Sequence, residues 1–207
     1  MRVTGVLLVG GASRRFGSPK ALATYKGSNL AEHAWALLDW CDERLAVGKT
    51  VDAYTQALPF GVVDDGTSRR AAIFGLRAGL AAASNEVCLF LPVDVPLVTE
   101  PLLRALARSI AVSQTGPLPG AYRRAIRAEV DVRIRAGNLS LRGLAQSVLE
   151  LDASRFANAN TPAQLARIAG AETPPGYPVR GVSRRTRTAA AARPNRSGSD
   201  AAARPMR

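Results

Sequence analysis

The chain has 207 residues, 47% of them apolar, enough for one globular domain with a real core. No apolar run reaches the roughly 18 residues of a membrane span, and a single histidine excludes histidine-rich metal chemistry. The net charge of +12 divides unevenly: from Thr173 onward eight Arg face one acid, Asp200, for +7, while 20 basic and 15 acidic residues before it leave +5, a mild excess that suits a polyphosphate better than nucleic acid.

Val3 to Val9 is a short apolar run ending in glycine and reads as a buried strand. The residues after it lack the cleavage pattern of a signal peptide, so a cytoplasmic location is the default. Asn29 reads as the N-cap of a helix in which Leu30, Ala34, Leu37, Leu38 and Cys41 recur at helical spacing. Arg44 to Val47 and Gly61 to Val63 are strand candidates, and Ala71 to Ala83 predicts an alanine-rich helix. Val87 to Val93 is apolar throughout, which predicts a central strand covered on both faces. Thr99 is placed to cap a helix from Glu100 to Ile110, with Pro101 tolerated in its first turn.

Leu118 to Tyr122 predicts a strand, Arg123 to Ala136 a helix closed by Gly137 and Asn138, and Ser140 to Gln146 another helix. Val148 to Leu151 reads as a short strand, and Thr161 and Pro162 open a last helix that runs to Ala169. Alternating strands and helices imply the α/β class: a three-layer αβα, Rossmann-like arrangement with a mostly parallel sheet and helices on both faces. Residues 1–172 form that domain; 173–207 form a basic tail without apolar periodicity, expected to be disordered. Cys41 and Cys88 sit in apolar surroundings, as reduced core residues do.

The stretch from Val6 to Leu22 carries the strongest chemical signal. A strand runs into Gly10 and Gly11, and Arg14, Arg15 and Lys20 follow closely. Glycines let backbone approach a ligand, and N–H groups beside fixed cations make a cradle for phosphates. The spacing is not that of a P-loop, because Ser18 and Pro19 separate Gly17 from Lys20. It is not a dinucleotide fingerprint either, because Gly10 and Gly11 are adjacent. The pattern predicts a nucleoside triphosphate site.

Ligands of open α/β sheets bind beyond the carboxyl ends of the strands. Asp94, at the end of the predicted central strand, should therefore face the first loop, and a Mg²⁺ bridge would separate its charge from that of the phosphates. Asp64 and Asp65 close another strand and offer acceptors to a base or a sugar, or form a plain acidic turn. Arg69 and Arg70 either contact phosphate or are solvated. Asn158 and Asn160 alternate on an extended segment before the last helix, so their amides share one side.

Together, the first loop, the Asp94-Val95-Pro96 segment and Asn158-Ala159-Asn160-Thr161-Pro162 resemble molybdenum cofactor guanylyltransferases, over Val3 to Ala169 and in the same order. The resemblance implies GMP transfer from GTP to the phosphate of molybdopterin, with Mg²⁺ and release of pyrophosphate. It implies that Leu8, Val9, Gly10 and Gly11 line the nucleotide, that Arg15 and Lys20 hold the triphosphate, and that Gly48 and Asp65 touch the nucleotide. Asp94 would be the metal ligand and Asn158 and Asn160 the cofactor-side amides. A molybdoenzyme or chaperone enters as a further partner; neither nucleic acid nor membrane does.

The chain departs from the family pattern at Val9 and Val93, and most at Arg70 to Phe74, where a Gly-Pro-Leu-Ala-Gly segment is expected and only Gly75 survives. That departure keeps other readings open: cytidylyl transfer to the same cofactor, GMP transfer to another phosphorylated small molecule, or a nucleotide-binding protein of weak activity.

Overall fold

The computed structural model describes residues 1–11, 15–145 and 147–170, together with a strand at 184–186. Arg14 and Gln146 lie outside the described residues. So does the expected tail, 173–207, apart from that strand.

Strand β1 (Val3–Leu8) is buried along its whole length, as its apolar run predicts. A short hairpin follows, β2 (Thr24–Tyr25) and β3 (Ser28–Asn29), which no periodicity announced. Helix α1 (Leu30–Ala36) starts at a full capping box: Glu32 N–H donates to the Asn29 side chain at 2.8 Å, and Asn29 N–H donates to the Glu32 carboxylate at 3.1 Å. The helix is shorter than its spacing predicts. From Leu38 to Cys41 the backbone closes i to i+3 turns that tighten and end it.

Next come β4 (Glu43–Gly48), β5 (Val62–Asp64), α2 (Ala72–Ala82), β6 (Val87–Pro92) and α3 (Glu100–Ser109). Thr99 stands at the N-cap of α3 but makes no side-chain capping bond. The chain then forms β7 (Val112–Ser113), β8 (Gly116–Arg123), α4 (Arg127–Arg135), β9 (Ser147–Leu149), α5 (Pro162–Gly170) and β10 (Arg184–Thr186). The helix expected from Ser140 does not form. Arg142 N–H turns back to the Ser140 hydroxyl, and the Arg133 guanidinium takes the carbonyls of Ser140 and Arg142. A helix there would need the same backbone groups for itself.

The strands form one sheet in the order β10-β9-β7-β8-β6-β1-β4-β5. β1 lies between β4 and β6, parallel to both, and β5 continues this parallel block. β8 runs antiparallel to β6 and β7, while β7 and β9 are parallel. Side-chain alternation divides the core. Val3, Leu7, Val9, Leu89 and Leu91 pack with α1 and α3 residues on one face. Val6, Leu8, Cys88 and Phe90 pack with Ile73, Leu76, Leu80 and Val130 of α2 and α4 on the other. This is the expected three-layer αβα arrangement.

Close packing against α2 depends on Gly79. A Cβ there would lie 2.6 Å from the Phe90 ring and 2.8 Å from Val6. Both cysteines are free, and burial pushes each thiol up to about 12. Among the described residues no helix is long and apolar enough to cross a membrane.

Candidate active site

The carboxyl ends of the parallel strands open into a cleft of about 440 Å³. β1 contributes Leu8 to Gly11, β4 ends in Gly48 and Lys49, β5 leads to Asp65, and β6 leads to Asp94. Ladder-type bonds continue past the regular strands and hold these ends in register. Val9 N–H donates to Val47 O at 3.0 Å, Val93 N–H to Leu8 O at 3.3 Å, and Asp65 N–H to Gly48 O at 3.0 Å.

One end of the cleft unites all three motifs. The Lys20 ammonium donates to Asp94 Oδ2 at 3.0 Å and to Asn160 Oδ1 at 3.2 Å. Asp94 is held from its backbone as well, because Ala159 N–H donates to Asp94 O at 2.8 Å. Ala159 is fully buried in a small cluster with Phe16 of the first loop, Tyr25, Leu30 and Leu165. That cluster fastens the first loop, the hairpin and α5 together. It also turns the flanking amides outward: Asn158 lines the cleft and Asn160 meets Lys20. On the far side of Asp94, the His33 ring of α1 donates from Nε2 to Pro96 O at 3.2 Å. Burial holds that imidazole below its ordinary pKa, and its bond to Pro96 braces the loop.

The other end is lined by Gly48, Lys49, Asp65 and the wall Arg70, Ala71, Ala72 and Gly75. Gly48 allows a close crossing of the β4 end over the first loop. A Cβ on it would stand 2.8 Å from Val9 Cγ2 and 3.5 Å from Gly10 N. The loop is tied down from this side too. Tyr54 donates its hydroxyl to Val9 O at 2.9 Å, and burial raises its phenol above the ordinary value, so the donor proton stays in place. Arg70 pairs with Asp52 through two bonds, at 2.7 and 3.0 Å, and reaches Gly11 O at 3.4 Å.

The structure thus gathers Leu8, Val9, Gly10, Gly11, Lys20, Gly48, Asp65, Asp94 and Asn158 around one space, with Asn160 bonded at its edge. Arg15 is exposed and does not line the cleft. Asp64 turns away from it. The Asp64 carboxylate accepts from Thr50 N–H and hydroxyl and from Gly66 N–H, which lower its pKa to about 2.

Sequence reading did not single out Lys49 or Tyr54. Lys49 follows a strand on the same sheet edge as Asp94, and that position was the available signal. Tyr54 had none, since it reaches the loop from a turn of 3₁₀ helix. The segment Arg70 to Phe74 keeps a structural role despite its unusual composition: Ala71 and Ala72 form the wall, while Ile73 and Phe74 are core.

Among the described residues no group of three or more His, Cys, Asp and Glu side chains could hold a metal ion. The Asp94 carboxylate, with Asn160 Oδ1 close to the same Lys20 ammonium, suits Mg²⁺ nonetheless, because that ion needs few protein ligands, keeps waters and takes substrate phosphate oxygens.

A model of the MobA-like NTP transferase domain matches residues 5–198. The chain is similar to the molybdenum cofactor guanylyltransferase of Pseudomonas syringae pv. syringae (strain B728a), 32% identical over 183 residues, covering 79% of this chain and 91% of the relative. The enzyme of that name from Ectopseudomonas mendocina is 33% identical over 180 residues, covering 78% and 89%. Among solved structures, molybdopterin-guanine dinucleotide biosynthesis protein A from Archaeoglobus fulgidus shares the fold, with a TM-score of 0.62 at 22% identity, covering 80% and 96%. With its sheet order, its strand-end cleft and a match over most of its length, this chain belongs to the MobA-like NTP transferase domain family.

Proposed function

We propose that this protein transfers GMP from GTP to the terminal phosphate of molybdopterin and releases pyrophosphate. The observation that carries the reading is the Lys20–Asp94–Asn160 constellation, which joins three distant motifs at one end of a nucleotide-sized cleft. The names of the two curated relatives supply the acceptor and the base.

In this reading an oxygen of the acceptor phosphate attacks the α-phosphorus in line. The bond from that phosphorus to its bridging oxygen breaks, and pyrophosphate leaves with the electron pair. No enzyme nucleophile is needed, so positioning and electrostatics supply the acceleration. Lys20 places a positive charge beside the phosphates. The backbone of Gly10 and Gly11 approaches the nucleotide without a Cβ in the way. Arg15, exposed on the same loop outside the cleft, adds positive charge to the approach of the triphosphate. Asn158 and Asn160 orient the acceptor. Asp94, with the Asn160 amide near it, would hold Mg²⁺, which when bound neutralises charge on the α-phosphate and on the leaving group.

The deciding experiment measures pyrophosphate release with GTP, CTP, ATP and UTP, each with and without molybdopterin. Release only with GTP and molybdopterin together is expected. Release with CTP would assign the cytidylyl reaction instead, and nucleotide binding without release under any pairing would make the protein a binding module.

A further inference from the structure

Building on the nucleotidyl-transfer reading, we propose that Lys49 is a positioning residue that sets the nucleoside end of the cleft. With phosphates at Lys20, a nucleoside extends to the opposite end, over the tips of β4 and β5. There the Lys49 ammonium meets both oxygens of Asp65, at 2.5 and 2.6 Å, and Thr67 O at 2.5 Å. These contacts use all three ammonium protons. The two side chains are only 5% and 9% exposed.

Asp65 Oδ1 accepts a further bond from Thr67 N–H at 3.2 Å. The carboxylate expected to touch the nucleotide is therefore already engaged by three contacts from the protein's own donors, two on Oδ1 and one on Oδ2. It acts as a strut between the end of β4 and the 65–67 turn, and the chain runs from that turn into the wall at Arg70 to Ala72. Lys49 holds the strut.

Charge gives Lys49 a second task. A buried carboxylate at Asp65 without a partner is costly to keep. Without Lys49 the carboxylate must move toward water, and the 65–72 wall must move with it. Lys49 acts through Asp65 and Thr67; it does not touch the reacting phosphorus.

The test is calorimetric binding of GTP, GMP and inorganic tripolyphosphate, with Mg²⁺, to the full chain and to Lys49→Met, Lys49→Arg and Lys49→Met/Asp65→Leu. The double variant removes both charges together, a change that leaves most folds standing, so it serves if Lys49→Met alone does not fold. Lys49→Met, or the double variant in its place, should weaken GTP and GMP by roughly ten- to a hundredfold. Tripolyphosphate should stay within about twofold of wild type, and Lys49→Arg should recover part of the loss. Unchanged GMP affinity would overturn the proposal, as would an equal loss for tripolyphosphate, which marks general damage. If the wild-type chain bound neither GTP nor GMP, the nucleotidyl-transfer reading would fall first and this proposal with it.

Discussion

The Lys20 ammonium and the Asp94 carboxylate lie 3.0 Å apart although 74 positions separate them in sequence. β1 and β6 are adjacent and parallel, so the loops that leave their carboxyl ends open on the same edge of the sheet. The proposed cation for the phosphates and the proposed acid for the metal therefore share one site.

Asp94→Ala should abolish turnover, a fall of about a hundredfold or more in kcat, while the fold survives. The side chain is a quarter exposed at the cleft and belongs to none of the apolar clusters. Pyrophosphate release together with a thermal melt checks both halves. Near wild-type activity in a folded variant would remove Asp94 from the metal site.

Lys20→Ala should raise KM for the nucleoside triphosphate and slow transfer. Asn160→Ala should do less, because Asn160 reaches the same end of the cleft as a partner of Lys20. Steady-state kinetics on both variants test the order. Unchanged kinetics in Lys20→Ala would take this residue out of the site.

Gly79→Ala should destabilise the domain. The added methyl would enter the space of Phe90 and Val6, at 2.6 and 2.8 Å. Overpacking of this kind costs about 1–3 kcal/mol, against roughly 1 kcal/mol gained from helix propensity. Chemical denaturation reads the balance; a variant more stable than wild type would show that α2 can lift from the sheet without loss.

Asp64 gives a pH-dependent prediction. Hydrogen bonds from Thr50 and Gly66 lower its carboxyl from the ordinary 3.8 to about 2. A depressed folded-state value means that the ionised form favours the native chain. That contribution is present in full above the unfolded value and fades as pH falls through about 2. The melting temperature of wild type should therefore exceed that of Asp64→Asn near neutral pH, and the gap should close between 3.8 and about 2. A gap that is constant with pH would remove the ionised carboxylate as its cause.

Much of the fold follows from local patterns. The strands at Val3 and Val87 are long apolar runs, and the Asn29 cap carries its Glu32 partner three residues on. Where local patterns failed, another group had taken the backbone. Arg133 claims the carbonyls after Ser140, and no spacing rule sees a side chain arriving from α4. The antiparallel placement of β8 beside β6 was equally hidden, because the strand's own residues do not state its partner.

The site divides in the same way. Lys20, Asp94 and the two asparagines stood out through their places after predicted strands or before a helix and through the family resemblance, and the packed sheet brings them to one cleft. The state of Asp65 was not legible. Whether a carboxylate meets a ligand or a lysine depends on which loops converge, and Lys49 reaches it only because β4 and β5 end side by side.

The order of apolar runs, caps and motifs by itself determined an α/β domain with a glycine-rich, cationic loop first and an acid after its central strand. Such information is written within a few residues, at the range over which backbone preference and side-chain period act. The tertiary structure alone decided which charges pair across the cleft, and that a buried Ala159 ties the loops together. Those choices depend on distances between segments far apart in the chain, which only the packed sheet defines.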